Sequence, residues 1–200
     1  MGHAGAAAAA VRYLRALPGG GTAEGPLVPR PDLRCVRDGE AAPVDQEMFR
    51  RVLGNFASGV TVVTAPALTE GASPAGFACQ SFASLSLDPP LVVFMVARTS
   101  ATWPRIARAG VFCVNILAED QSELCRAFAR SGTDKFAGVP YDPAPTTGSP
   151  RLTGTLAWVD CTIHAVHTGG DHLIVVGRVD ALGTTGGERK PLLFHRGRFV

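Results

Sequence analysis

Short runs rich in β-branched and apolar residues dominate this chain, at 60–64, 91–97, 111–117, 155–166, 172–182 and 192–199. Between them only two windows read as helices, 102–109 and 120–130. A parallel, doubly wound sheet needs a crossover element after nearly every strand, because parallel neighbours cannot be joined by a tight turn. This spacing supplies too few. Antiparallel strands need only turns, so the pattern predicts a mainly β fold: a closed antiparallel barrel with a few short helices at its edges. The 91–97 run is apolar without interruption, as a buried strand requires. The stretch 76–86, a mixture of small and apolar residues, adds to the strand set.

Local signals place the ends of these elements. Asp45 is positioned to cap a helix, with Glu47 in the first turn favouring its dipole. Met48, Val52 and Phe56 follow at spacings of four and predict one apolar stripe, which Gly54 and Gly59 interrupt. Pro104 in the first turn and Gly110 past the last suit the helix at 102–109. Pro140, Pro143, Pro145 and Pro150 crowd 136–152 and predict a loop. Residues 1–44 are half Ala, Gly and Pro, with too little apolar surface to offset ordering entropy. They read as a flexible tail, with a helix at 6–17 only if it docks, and 45–200 reads as the one domain.

Composition excludes several classes. A net charge of +2 is too small to argue for nucleic acid or a membrane surface as a partner, neither of which is expected, and no apolar run approaches the ~20 residues of a spanning helix. The cysteines, Cys35, Cys79, Cys113, Cys125 and Cys161, are odd in number and form no CxxC pair. They suggest a reducing cytoplasm rather than a disulfide framework. No metal site is expected, since His164 and His167 lie three apart on a strand and point to opposite faces. GxGxxG, GxxxxGK[ST] and GxSxG are all absent, so any nicotinamide cofactor is not held in a Rossmann crevice.

Three segments carry candidate chemistry. Around Arg98, Ser100 and Thr102 the chain leaves a strand and enters a helix, gathering hydroxyls, free N–H groups and a cation. That suits an anion, and equally suits plain capping by Ser100 or Thr102. The run from Gly76 to Phe82 sets small residues among two aromatics, which admits a planar ligand to the backbone or simply opens a core strand. Gly169-Gly170-Asp171-His172 reads as a turn that places His172 at a strand start. Trp103 and Trp158 read as packing residues.

Taken in order, the segments share a pattern. Gly54-Asn55-Phe56-Ala57-Ser58-Gly59-Val60-Thr61 lies within 49–64; Gly76 to Phe82 continues into Ser84-Leu85-Ser86-Leu87-Asp88-Pro89-Pro90. Then come Phe112-Cys113-Val114-Asn115, Asp134-Lys135-Phe136-Ala137-Gly138, Gly170-Asp171-His172 and Leu193-Phe194-His195-Arg196-Gly197. Over 45–200 this resembles the flavin reductase-like family, and most of all the reductase components of two-component flavin-dependent monooxygenases. The resemblance implies an FMN-binding split β-barrel of Greek-key type, a homodimer with flavin near the subunit interface. It implies hydride transfer from NADH or NADPH to FAD or FMN, and a partner monooxygenase supplied by diffusible reduced flavin. By position, the flavin would lie along Pro74, Ala75, Gly76, Phe77, Ala78, Gln80, Ser81 and Phe82. Met95, Val96, Ala97, Ser100, Ala101 and Thr102 would take its ribityl and phosphate end, with Phe128 and Lys135 near the same ligand. His172 would lie beside the nicotinamide as the catalytic residue, flanked by Phe194 and Arg196. The alternatives are an electron carrier of the same fold without efficient NAD(P)H oxidation, a pyridoxamine-phosphate-oxidase-like enzyme, and a scaffold binding no flavin.

Overall fold

The computed structural model describes residues 44–132 and 134–200. The tail expected over 1–44 and the helix at 6–17 lie outside the described residues, Val44 excepted. Helix α1, Gln46–Leu53, begins where expected, with the Asp45 carboxylate accepting the Met48 N–H at 2.9 Å. Strands β1 (Ser58–Gly59), β2 (Thr61–Ala65), β3 (Ala75–Cys79), β4 (Ala83–Leu87) and β5 (Pro90–Ala97) follow. Helix α2 (Trp103–Ala109) leads into β6 (Val111–Ile116). Helix α3 (Ser122–Ala129) precedes the hairpin of β7 (Tyr141–Pro143) and β8 (Pro150–Leu152). A long hairpin of β9 (Ala157–Gly169) and β10 (His172–Thr184) comes next, then β11 (Leu193–His195) and β12 (Arg198–Phe199).

Seven strands form one antiparallel sheet in the order β3-β2-β6-β9-β10-β5-β4, and β1, β11 and β12 make a small second one. The fold is mainly β with short helices, as the strand pattern predicted, and its barrel is split, as the resemblance implied, rather than closed. Strand β2 is buried along its whole length because it separates two cores. Val63 and Ala65 face the barrel interior with Phe94, Phe112, Trp103 and Ile106. Val60, just before the strand, and Val62 face the other side with Leu117, Phe128, Leu152 and Leu192. Two buried faces require a continuous β-branched run, and 60–64 provides one. Phe94 anchors the interior, with the rings of Phe112, Phe77 and Trp103 at 5.1, 6.0 and 6.4 Å.

Three expectations change. The stretch 76–86 is not one strand: it breaks at Gln80, Ser81 and Phe82 between β3 and β4. Residues 136–152 are not only a loop, because β7 and β8 pair within them. The buried Asn115 amide donates to Val62 O, Thr64 Oγ1 and Pro150 O, each at 3.2 Å, and its oxygen accepts the Leu152 N–H at 2.8 Å. Such a satisfied buried amide pins the hairpin to β2 and β6 despite its prolines. Asp160, also buried, accepts the N–H groups of Thr146 and Thr147 in the hairpin turn. Finally, the stripe of Met48, Val52 and Phe56 faces outward: α1 buries no residue, and Phe56 is 82% exposed.

Gly177 in β10 shows how tightly the barrel is filled. A Cβ there would stand 2.4 Å from Phe112 Cζ, inside the side chain at the centre of the core. Gly177→Ala is therefore expected to cost about 1–3 kcal/mol through overpacking. Thermal unfolding should show a drop of several degrees; an unchanged Tm would mean that the Phe112 ring turns aside freely.

Candidate functional site

The main sheet does not close evenly. The ladder between β4 and β5 ends at Ala83 opposite Val93, while β5 runs on to Ala97. Strand β3, the other edge of the sheet, lies across from this unpaired stretch without a ladder to it. The split opens into a cavity of about 560 Å³. A second, more open cavity of about 370 Å³ shares Phe77, Ala78, Ala97 and Ser100 with it.

Most residues expected at the site meet here. Pro74, Gly76, Phe77 and Ala78 line one wall of the deep cavity, Ala97, Ser100, Ala101 and Thr102 another, and Phe128 and Lys135 a third. Gln80, Ser81, Met95, Val96 and His172 line the open part. Four do not join them. Ala75 and Phe82 pack into the barrel core. Phe194 and Arg196 sit on the hairpin of β11 and β12 and line neither cavity. The Arg196 guanidinium instead donates to Asn55 Oδ1, from Nε at 2.8 Å, and its backbone N–H reaches Gly54 O at 2.9 Å.

Gly76 is small for a reason other than ligand access. A Cβ there would come within 2.7 Å of Phe128 Cε1 and 3.2 Å of Phe136 Cζ. The two rings meet edge to face at 5.1 Å and close the cavity floor over the glycine. At the start of α2, capping is what the Ser100 hydroxyl does, accepting the Trp103 N–H at 3.2 Å, while Thr102 makes no side-chain cap bond. Arg98 lines neither cavity. Besides Lys135, the cation that faces the deep one is Arg105, within α2, whose Nη2 donates to Pro74 O at 3.1 Å and to Ser73 O. Its position three residues past Thr102, on the same helix face, was the sequence signal that could have found it.

Lys135 stands near Arg105. Its Nζ donates to Phe128 O at 2.9 Å and Gly76 O at 3.2 Å, tying α3 to β3. Partial burial, and then the like charge of Arg105, hold its ammonium below the usual lysine range. This end of the cavity thus carries two cations and suits an anion. At the other end, His172 Nδ1 lies 2.7 Å from Asp171 Oδ1, at the tip of the hairpin of β9 and β10. That hydrogen bond and the imidazole's charge keep the Asp171 carboxyl below the usual carboxylate range. Ser73, whose Oγ donates to Asp134 at 3.3 Å, was not singled out from sequence, and Asp171 and Asp134 were read only as parts of motifs, with no role of their own.

The four described cysteines are free and buried. Burial pushes the Cys79 thiol up, and burial with the Asp160 charge pushes Cys113 to about 12, so neither is a thiolate nucleophile near neutral pH. Among the described residues no group of three or more His, Cys, Asp and Glu could hold a metal ion, and no helix is long and apolar enough to cross a membrane.

Comparison with known proteins gives a consistent result. The family model of the flavin reductase like domain matches residues 53–200. The chain is 50% identical over 160 residues to the flavin-dependent monooxygenase reductase subunit HsaB of Rhodococcus jostii, covering 80% of each chain. It is 50% identical to nitrilotriacetate monooxygenase component B of Mycobacterium thermoresistibile, whose crystal structure superposes with a TM-score of 0.72 over 78% of this chain and 85% of that one. An NADH:FAD oxidoreductase of Streptomyces globisporus, solved in complex with NAD and FAD fragments, is 36% identical, with a TM-score of 0.72 over 80% of this chain and 96% of that one.

Lys135 and Lys190 are the only lysines in the chain, which makes the cationic end easy to follow. After reductive ¹³C-methylation, the resonance lost in Lys135→Arg should titrate below the ordinary lysine range. The neutral form is favoured by folding, so Lys135 adds stability as pH rises from its lowered pKa towards 10.5, and that stability is lost as pH falls. An anion bound beside it should move the titration upward. An ordinary lysine titration would mean that Lys135 faces open water.

Proposed function

The chain belongs to the flavin reductase-like family, and from that premise we propose that it transfers a hydride from NADH or NADPH to FAD or FMN and supplies the reduced flavin to a partner monooxygenase. The observation that carries this reading is the split itself: two unladdered strand edges facing one another, two cations at the deep end and His172 at the open end. Such a slot fits a flat ring with a phosphate-bearing chain. On β3 the Gly76 carbonyl points away from β2 to Lys135, so strand alternation turns the Ala78 backbone to the split as well. Those groups would meet the polar rim of the ring, and Arg105, Lys135 and the turn from Ser100 to Thr102 the phosphate end.

The bound nucleotides carry the redox chemistry, the dihydropyridine giving a hydride to the flavin. What the chain's own residues supply is placement of two rings at reacting distance, and placement accounts for most of the acceleration. No nucleophile is needed. His172, oriented by Asp171, would hold the nicotinamide or its carboxamide. Release of the product requires modest affinity, on the order of micromolar or about −8 kcal/mol.

Two further features fit this reading. The exposed stripe of α1 supports a homodimer, since an amphipathic helix with no core of its own needs a covering surface. Arg196 holds the end of α1 through Gly54 and Asn55, and Phe194 pairs with Ser58 just beyond it, so both would flank the nicotinamide across the interface rather than within one protomer. Free buried thiols support a reducing, cytoplasmic setting.

Oxidation of NADH and NADPH with FAD, FMN and riboflavin in turn tests the activity. His172→Ala should raise the nicotinamide KM or slow flavin reduction about tenfold, ~1.4 kcal/mol, while flavin still quenches normally. Wild-type kinetics in that variant would remove the role of His172. Flavin binding without NAD(P)H oxidation by the unaltered protein would instead identify an electron carrier.

A further inference from the structure

Strand β4 stops pairing at Ala83 opposite Val93, and continuing that register would set Ser81 opposite Met95. The backbone at Ser81 has already left the β4 direction to join β3, so no ladder forms there. Its hydroxyl takes the place of the missing strand. Ser81 Oγ donates to Met95 O and accepts from Met95 N–H, each at 2.9 Å, as the backbone of a continued β4 residue would. Cys79 Sγ lies 3.4 Å from the same hydroxyl and packs the junction from the barrel side. One proton and one lone pair of the hydroxyl are thus engaged across the split, and no proton remains for a ligand.

We propose that Ser81 is a positioning residue that clasps β3 to β5 and sets the width of the split in which the flavin ring is held. This rests on the flavin reading above and replaces a direct side-chain contact to flavin by an indirect one. Beyond the clasp lie Ala97 and Ser100, which line both cavities, and the Ala97 carbonyl is already taken by the Ser100 N–H at 2.9 Å. Two hydroxyl-bearing residues therefore bracket the end of β5, one by its side chain and one by its backbone. Without the first, Met95 would present both backbone groups to the slot, and the edge of β3 would be free to move away.

The test compares Ser81→Ala and Ser81→Thr in the full chain. Amide exchange at Met95, read without flavin, should quicken in the Ala variant and return to the wild-type rate with Thr. FAD and FMN dissociation constants from fluorescence quenching should weaken about tenfold in Ala and recover with Thr, as loss of a doubly used hydroxyl implies. Faster exchange with unchanged flavin affinity would overturn the proposal, since the clasp would then position nothing. Weaker flavin binding with unchanged exchange would also overturn it, and restore a direct contact. A Thr variant that melts like wild type yet binds flavin like Ala would do the same. Absence of flavin binding in the unaltered protein would sink the functional reading and the positioning role together, while the exchange arm still reports on the clasp.

Discussion

Two neighbouring strands of unequal length shape this molecule: β5 takes eight residues and β4 five, and the ladder between them ends before β5 does. Backbone groups past that point have lost their natural partners, and unpaired peptide groups shielded from water are costly. The chain provides for them piecemeal. Ser81 Oγ serves Met95, and the N–H of Ser100 serves the carbonyl of Ala97. The cavity lies where these substitutes replace a strand. A barrel closed by a full ladder would have had side chains where the slot now runs.

The same economy governs the charges. Arg105 and Lys135 do not hang freely in the cavity; each is anchored on carbonyls, Arg105 on Ser73 and Pro74, Lys135 on Gly76 and Phe128. They bind the approach to β3 and its unpaired edge to the helices, and in doing so bring two like charges to one end of the slot. Burial and repulsion together disfavour the ammonium of Lys135. An anion placed beside them relieves the repulsion, so the electrostatics of this end and a phosphate-bearing ligand fit one another.

Helices α1 and α3 make an instructive pair. Both are amphipathic, yet α3 buries Cys125 and Phe128 in the second core, while α1 buries nothing. Asn55 and Gly54 hold the end of α1 to the turn at Arg196, so its apolar face is presented rather than merely loose. A face held in place and left uncovered by the described residues is free to meet a covering surface.

The sequence by itself determined the fold class, because β-branched runs with too few helices between them for parallel crossovers leave an antiparallel barrel as the workable packing. It also determined the local punctuation, such as the Asp45 cap and the left-handed Gly110 that ends α2 at φ 71°. Those signals act over a few residues. The order of motifs carried the family and most of the residues that line the slot, among them Pro74, Gly76, Phe77, Ala78, Met95, Ala97, Ser100, Lys135 and His172. Only the tertiary structure decided that Gly76 is small to receive Phe128 and Phe136, and that Arg105 rather than Arg98 faces the cavity. It alone showed that Asn115 holds a proline-rich hairpin, that the stripe of α1 turns outward, and that the Ser81 hydroxyl replaces a strand. Each of these depends on residues distant in sequence meeting at a given distance and angle, and a periodic pattern along one segment carries no information about which partner waits across the fold.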